Sequence, residues 1–274
     1  MDNGQWTLPS GMPIARRGLC MLAQPSLRQP QRASGFRFME ATILLVKSGS
    51  LSLDTGEAQA LLEGPSALMA VARNVCADLV KLPGGDESRF RSLLLAIAPE
   101  VLREFYKRYD QEELSPAPVA AWRATPLDDD LADSLEHCIR SVDAGVSQRV
   151  LMHRLVGLLL ALADRGIVFA RPASQNVGDL LTSLLSDAPG QQWTAAKAGR
   201  ELAMSEATLR RRLAAQHLRF ETLLLEVRMH HAMGLLQTTG WSIPLVAEAC
   251  GYQAHARFSL RFRERFGCPP SHVR

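Results

Sequence analysis

Cysteine is scarce and irregular: five residues (Cys20, Cys76, Cys138, Cys250 and Cys268) are spread over 274 positions at wide, uneven spacing. A small secreted domain stapled by disulfides carries a dense, even set. That class is excluded, and a reducing compartment is expected. Long apolar runs are missing as well. The longest, residues 155–163, is closed by Arg154 and Asp164 and falls far short of the ~20 residues that cross a bilayer, so no membrane partner is expected. The first thirty residues scatter Arg16, Arg17 and Arg28 among prolines, without an apolar stretch leading to a small-residue cleavage site. A cytoplasmic location follows as the expectation. A Gly-rich phosphate loop and a Ser/His/Asp arrangement are also lacking, so the chain is read as no enzyme, with no cofactor.

Net charge is low too, at +3, but it is unevenly placed. Residues 1–175 carry 19 Lys/Arg against 20 Asp/Glu, whereas residues 176–274 carry 12 against 8. The whole basic excess therefore lies in the last third, as a module that meets a polyanion requires. Hydrophobic residues at 47% and charged residues at 22% are the balance of a globular chain. At this length two domains are expected, each with its own core.

The predicted fold class is α+β, with a mostly β N-terminal domain followed by an all-α C-terminal one. In the first domain, residues 1–171, short β-favouring runs over 36–82 are cut by turn residues such as Ser48-Gly49 and Thr55-Gly56. Helical character is expected over 87–109, with a break near Pro99. Ser115-Pro116-Ala117-Pro118 reads as a connector. Further helices are predicted at 127–142, with Asp128, Asp129 and Asp130 at its start, and at 147–164. The latter is apolar around much of its circumference (Val150, Leu151, Leu155, Val156, Leu158, Leu159, Leu162) and so requires burial on more than one side. Either packing inside its own domain or a subunit interface satisfies that demand, and both can hold at once. The boundary between domains is expected at 171–177.

Residues 195–216 fit a helix-turn-helix, in which a supporting helix, a tight turn and a second helix present one face to the DNA major groove. Ala195–Leu202 is the support, Ala203-Met204 the turn, and Ser205 the cap of the next helix. Leu209 and Leu213 face inward. Ala207, Thr208, Arg210 and Arg211 are left on the outer side, with Arg212 nearer the core edge. A second unit is expected at 243–266, with Ile243, Val246 and Ala247 on its support and Cys250-Gly251-Tyr252 at its turn. Phe258, Phe262 and Phe266 recur at helical spacing and read as core. Opposite them lie His255, Arg257, Ser259, Arg261 and Arg265, a polar and basic surface, with Gln253 a further candidate contact. Residues 220–237 read as one continuous linker helix despite Gly234.

With these features in place, residues 176–274 resemble the AraC/XylS family of transcription regulators. WSIPLVAEACGYQAHARFSLRFRERFGCPPSHVR, residues 241–274, is similar to that family's signature: an Ile-x-x-Val-Ala support, a Gly-aromatic turn, a Phe-x-x-x-Phe recognition helix, then Phe-Gly-x-x-Pro and a closing Arg. MSEATLRRRL in the first unit, the Arg228-Met229 pair, Ala232 and Leu235-Leu236 also match. The subgroup it looks most like is the virulence and acid-resistance regulators of enteric bacteria. The resemblance implies double-stranded DNA and RNA polymerase as partners, activation more than repression, and a cupin-like sensor domain controlled by a small effector or a protein anti-activator; a homodimer is expected from the apolar helix at 147–164. It also implies base-facing positions at Ala207, Arg210 and Arg211 in the first unit and at His255, Ala256, Ser259 and Leu260 in the second. Arg210 or Arg211 is the strongest candidate for guanine recognition, since arginine donates two hydrogen bonds to O6 and N7. Leu260 departs from the polar residue common there, so the second unit is expected to rely more on phosphates and DNA shape.

Two competing sites are weighed and set aside. Cys250-x4-His255-x12-Cys268-x3-His272 has zinc-like spacing, but Cys250 belongs to a buried turn and His255 to an outer helical face, so no metal is expected. The Pro-Cys-His-Arg tetrad of alkyl-transferases with a similar DNA-binding domain is absent.

Overall fold

The structure, a computed structural model, describes residues 11–85, 88–109, 117–172 and 176–273. It divides into two compact units: Met1–Pro172 with Gln237–Thr239 and His272–Arg274, and Ala173–Leu236 with Gly240–Ser271. Among the described residues no helix is long and apolar enough to cross a membrane.

The first unit starts with β1 (Ile14–Arg16), β2 (Cys20–Ala23), β3 (Ser26–Leu27), β4 (Gln31–Arg37), β5 (Ala41–Ser48), β6 (Ser50–Asp54), β7 (Gln59–Glu63), β8 (Ala67–Val71), β9 (Cys76–Leu82) and β10 (Phe90–Ile97). Helix α1 (Pro99–Arg108), strand β11 (Trp122–Pro126) and helices α2 (Asp129–Asp143) and α3 (Gln148–Ala163) complete it. One antiparallel sheet runs β1-β2-β10-β5-β8-β11, with β3 also on β10; the other runs β4-β9-β6-β7. The chain passes from the first sheet to the second at Gly49. Its φ is +78°, and a Cβ there would meet the Leu82 carbonyl at 2.2 Å, so only glycine makes the turn.

Two apolar layers explain the strand sequences. Leu44 and Val46 of β5 join Leu51, Leu53, Met69, Leu79 and Phe90 in one cluster. Their neighbours Ile43 and Leu45 join Leu93, Leu95 and Ile97 in a second, which α1, α2 and α3 complete. Strands β5 and β10 are thus buried on both faces and read as continuous apolar runs. This corrects the helix expected over 87–109. Among the described residues, 90–97 are strand, paired to β2 and β5. A run buried on both sides carries no period that separates strand from helix. The helix starts only at Pro99, where proline's fixed φ suits the first turn. The β region also extends beyond 36–82, taking in residues 14–37 and 122–126.

Helix α2 is capped by Asp128, which accepts from the Leu131 N–H at 2.9 Å and pairs with Arg165. Leu151, Leu155, Val156, Leu158, Leu159 and Leu162 of α3 are buried inside the first unit, so most of its apolar circumference is covered there, whereas Val150 stays exposed. Parts of the expected connector and domain boundary, residues 115–116 and 173–175, lie outside the described residues.

The second unit is helical: α4 (Val177–Asp187), α5 (Ala195–Glu201), α6 (Glu206–Ala214), α7 (Phe220–Thr238, whose last two residues belong to the first unit), α8 (Ile243–Ala249) and α9 (His255–Phe266). Gly234 does not interrupt α7.

Candidate nucleic-acid interface

The first helix-turn-helix comprises α5 and α6. Thr194 caps α5 through the Lys197 N–H, and Ser205 caps α6 through the Thr208 N–H at 3.1 Å. Between them Ala203 takes a left-handed φ of 54°. The helices approach closely: a Cβ on Gly199 would stand 2.8 Å from the Met204 carbonyl. Leu209 and Leu213 are fully buried, whereas Ala207, Arg210, Arg211 and also Arg212 are exposed. Arg212 therefore sits farther from the core than its expected place. Thr208 is half-buried, with its hydroxyl 2.9 Å from Ser205 Oγ, as part of the cap.

Helices α8 and α9 form the second unit. Ser242 caps α8, and Gly267 closes α9 in a left-handed conformation. Phe258, Phe262 and Phe266 are buried in a row, with ring centroids 5.8 and 4.9 Å apart. The rest of α9 is consequently held in a fixed rotation. Gln253, His255, Ala256, Arg257, Leu260 and Arg261 are exposed, and Ser259 is half-buried. Cys250 is buried at the turn, where burial pushes its thiol up to about 12, while His255 stands exposed. Among the described residues no three His, Cys, Asp or Glu side chains gather as metal ligands.

The contacts by which several polar residues organise these helices escaped sequence reasoning. Arg228, in mid α7, donates to the Pro189 carbonyl at 3.1 Å and the Gln191 carbonyl at 2.9 Å, and its guanidinium lies 5.6 Å from the Tyr252 ring centroid. It fastens the loop before α5 and the turn of the second unit to one helix. Glu226 of α7 receives the Arg265 Nε–H at 2.7 Å and has His230 Nε2 at 3.4 Å. Burial alone raises the Glu226 carboxyl, but the contacts with His230 and Arg265 outweigh it and hold the group at about 2. Arg265, expected on the polar outer surface, is instead tied to α7. In the first unit of the pair, Arg210 bonds Glu206 at 2.9 Å and Glu221 at 3.0 Å. An i, i+4 pair such as Glu206–Arg210 is legible in a helix; the others depend on tertiary placement.

A family described as a helix-turn-helix domain matches residues 199–274. The urease operon transcriptional activator of Escherichia coli is 27% identical over 146 residues, covering 51% of this chain and 49% of that protein. The HTH-type transcriptional regulator GadX of Escherichia coli K12 is 31% identical over 96 residues, 35% of each chain. The chain thus spans about half the length, or less, of these curated relatives. Their names are those of transcription regulators, not enzymes. Among solved structures, unsaturated fatty acid bound wild-type ToxT from Vibrio cholerae has the same fold, with a TM-score of 0.59 at 14% identity over 94% of this chain and 95% of that one. The sequence match and the two paired helices agree: residues 199–274 are an AraC-type helix-turn-helix domain, in a chain whose mostly β first unit and helical second unit share the two-part fold of ToxT.

Proposed function

We propose that the chain is a sequence-specific transcription regulator, an activator in its main role, that inserts α6 and α9 into adjacent major grooves of double-stranded DNA. The observation that carries this reading is the shared construction of the two helices. Each buries a narrow apolar stripe and leaves a basic face exposed, and one helix, α7, joins them. Nineteen residues span roughly 28 Å at helical rise, comparable to the ~34 Å between successive major-groove faces. Ala207, Thr208, Arg210 and Arg211 of the first unit, and Gln253, His255, Ala256, Arg257, Ser259, Leu260 and Arg261 of the second, form the contacting set. Base recognition rests mainly on the first unit and phosphate contact on the second. RNA polymerase, a second copy of the chain and a cytoplasmic location complete the reading.

Control is assigned to the first unit through a small effector. The ToxT structure named above holds an unsaturated fatty acid, and the first unit here buries an amine, Lys81, whose hydrogen bond goes to the neutral side chain of Gln237 at 2.9 Å. A carboxylic acid is therefore the first effector class to try. A titration of the full chain against fatty acids and sugars, read by unfolding midpoint, decides it. A rise with acids that Lys81→Met abolishes supports the assignment, and no rise with either class favours a protein anti-activator.

DNA recognition is tested by selecting genomic fragments with the full chain at several salt concentrations. Discrete enriched sites, with one base relaxed by ~1–3 kcal/mol in Arg211→Ala, support the reading. Weak binding without sequence preference, fading with salt, overturns it. Sedimentation at tens of micromolar, with and without DNA, tests the dimer.

A further inference from the structure

Three arginines stand in a row on α6, yet the structure treats them differently. Arg210 is gripped from two directions: Nε donates to Glu206 Oε1 at 2.9 Å, and Nη1 donates to Glu221 Oε1 at 3.0 Å. Glu206 lies one turn earlier on the same helix, and Glu221 lies in the first turn of α7. The guanidinium consequently bridges two elements. Among the described residues Arg211 and Arg212 have no ion pair, and both are exposed.

From this we infer that Arg210 is a strut between α6 and α7, held away from DNA by Glu206 and Glu221, and that Arg211 is the arginine with which the first unit reads a base. The inference rests on the DNA-binding reading above and sharpens it by taking Arg210 out of the contacting set. A guanidinium uses both edges of its fork to grip guanine O6 and N7, and Arg210 already spends two donors on carboxylates. Reaching a base would break both pairs and leave Glu206 and Glu221 facing the phosphates. Such a cost falls on every sequence alike, so the two carboxylates restrain non-specific affinity while the orientation of α6 is kept.

The three side chains are roughly half exposed or more, with 47% for Arg210, 45% for Glu206 and 64% for Glu221. Exposed pairs are individually weak and screened by salt, so freeing Arg210 should raise affinity only about two- to fivefold. It should also steepen the fall of log K with log salt by about 0.9, the share of one added phosphate contact.

The test uses the full chain, a selected specific site and a scrambled duplex, over a salt series. Glu221→Gln is expected to tighten binding to both duplexes by about two- to fivefold, and so to lower the ratio between them little or not at all. In the Arg210→Ala background the same Glu221→Gln change is expected to do less than half as much. Arg210→Ala alone should leave the preferred base at each position unchanged, while Arg211→Ala relaxes one position. The inference is overturned if Glu221→Gln is silent, if its effect persists undiminished without Arg210, or if Arg210→Ala relaxes a base as Arg211→Ala does. If neither duplex is preferred by the wild-type chain, the DNA-binding reading itself falls, an outcome distinct from these three.

Discussion

Arg265 on α9 places its Nε 2.7 Å from Glu226 Oε1 on α7, so the second recognition helix is bolted to the linker helix by a half-buried ion pair. Because folding holds the Glu226 carboxyl at about 2, below its ordinary 4.5, the pair contributes fully above pH 4.5 and is lost as pH falls towards 2. Glu226→Gln is expected to cost about 1–3 kcal/mol at pH 7. It should also flatten the acid limb of the stability curve. Urea unfolding between pH 3 and 7 measures both, and parallel curves for the two proteins would refute the assignment.

Gly251, at the turn of the second unit, has φ +78°, and a Cβ there would lie 2.5 Å from Arg228 Nη2 and 2.8 Å from the Gly190 carbonyl. Backbone strain and a displaced Arg228 combine in Gly251→Ala. The expected loss is about 1–3 kcal/mol, with DNA affinity reduced at sites that depend on α9. Thermal unfolding and a binding titration check it; an unchanged midpoint would mean that the turn tolerates a side chain.

Phe262 is the central ring of the α9 stripe, fully buried between Phe258 and Phe266. Phe262→Ala should lose about 3–5 kcal/mol, whereas Phe262→Leu, which keeps most of the volume, should lose about 1 kcal/mol. Equal losses in the two variants would show that ring packing does not fix the rotation of α9.

The same stripe shows why the second unit of the chain was legible in its sequence. Phenylalanines at helical spacing, Ser205 as a cap, and Gly251 at a turn are local signals whose meaning survives folding. The first unit hid more. Strand β10 is apolar on both faces because two layers cover it, so its sequence has no alternation to read. Strands β1, β2 and β3 are two to four residues long, too short for any period to declare itself. The long-range polar contacts were hidden for another reason: Arg265 and Glu226 are 39 positions apart, and so are Arg228 and Pro189. Only the packing of α7 against its neighbours brings them together. Arg210 was legible as a surface arginine, but its engagement with Glu221 was not.

Lys81 makes the sharpest stability prediction. Its amine is buried 5.7 Å from the Phe90 ring centroid, and its hydrogen-bond acceptor, Gln237, is a neutral amide that in turn donates to Gln31 at 2.7 Å. Burial pushes the amine down from 10.5 to about 7. The unfolded chain then holds the proton more tightly than the folded one between pH 7 and 10.5, and stability rises with pH across that window. Below pH 7 the charged amine carries its full desolvation penalty. Lys81→Met, similar in length and without charge, should therefore stabilise the protein by a few kcal/mol at pH 6, on the order of the shift itself, and the advantage should shrink steadily towards pH 10.5. Paired urea unfolding curves at pH 6, 8 and 10 provide the comparison. A variant less stable than the wild type at pH 6 would show that the amides compensate the buried charge, and would remove the reason for expecting an acid to bind there. A variant more stable at pH 6 would identify Lys81 as a residue retained against stability, which is the behaviour of a group kept for a ligand.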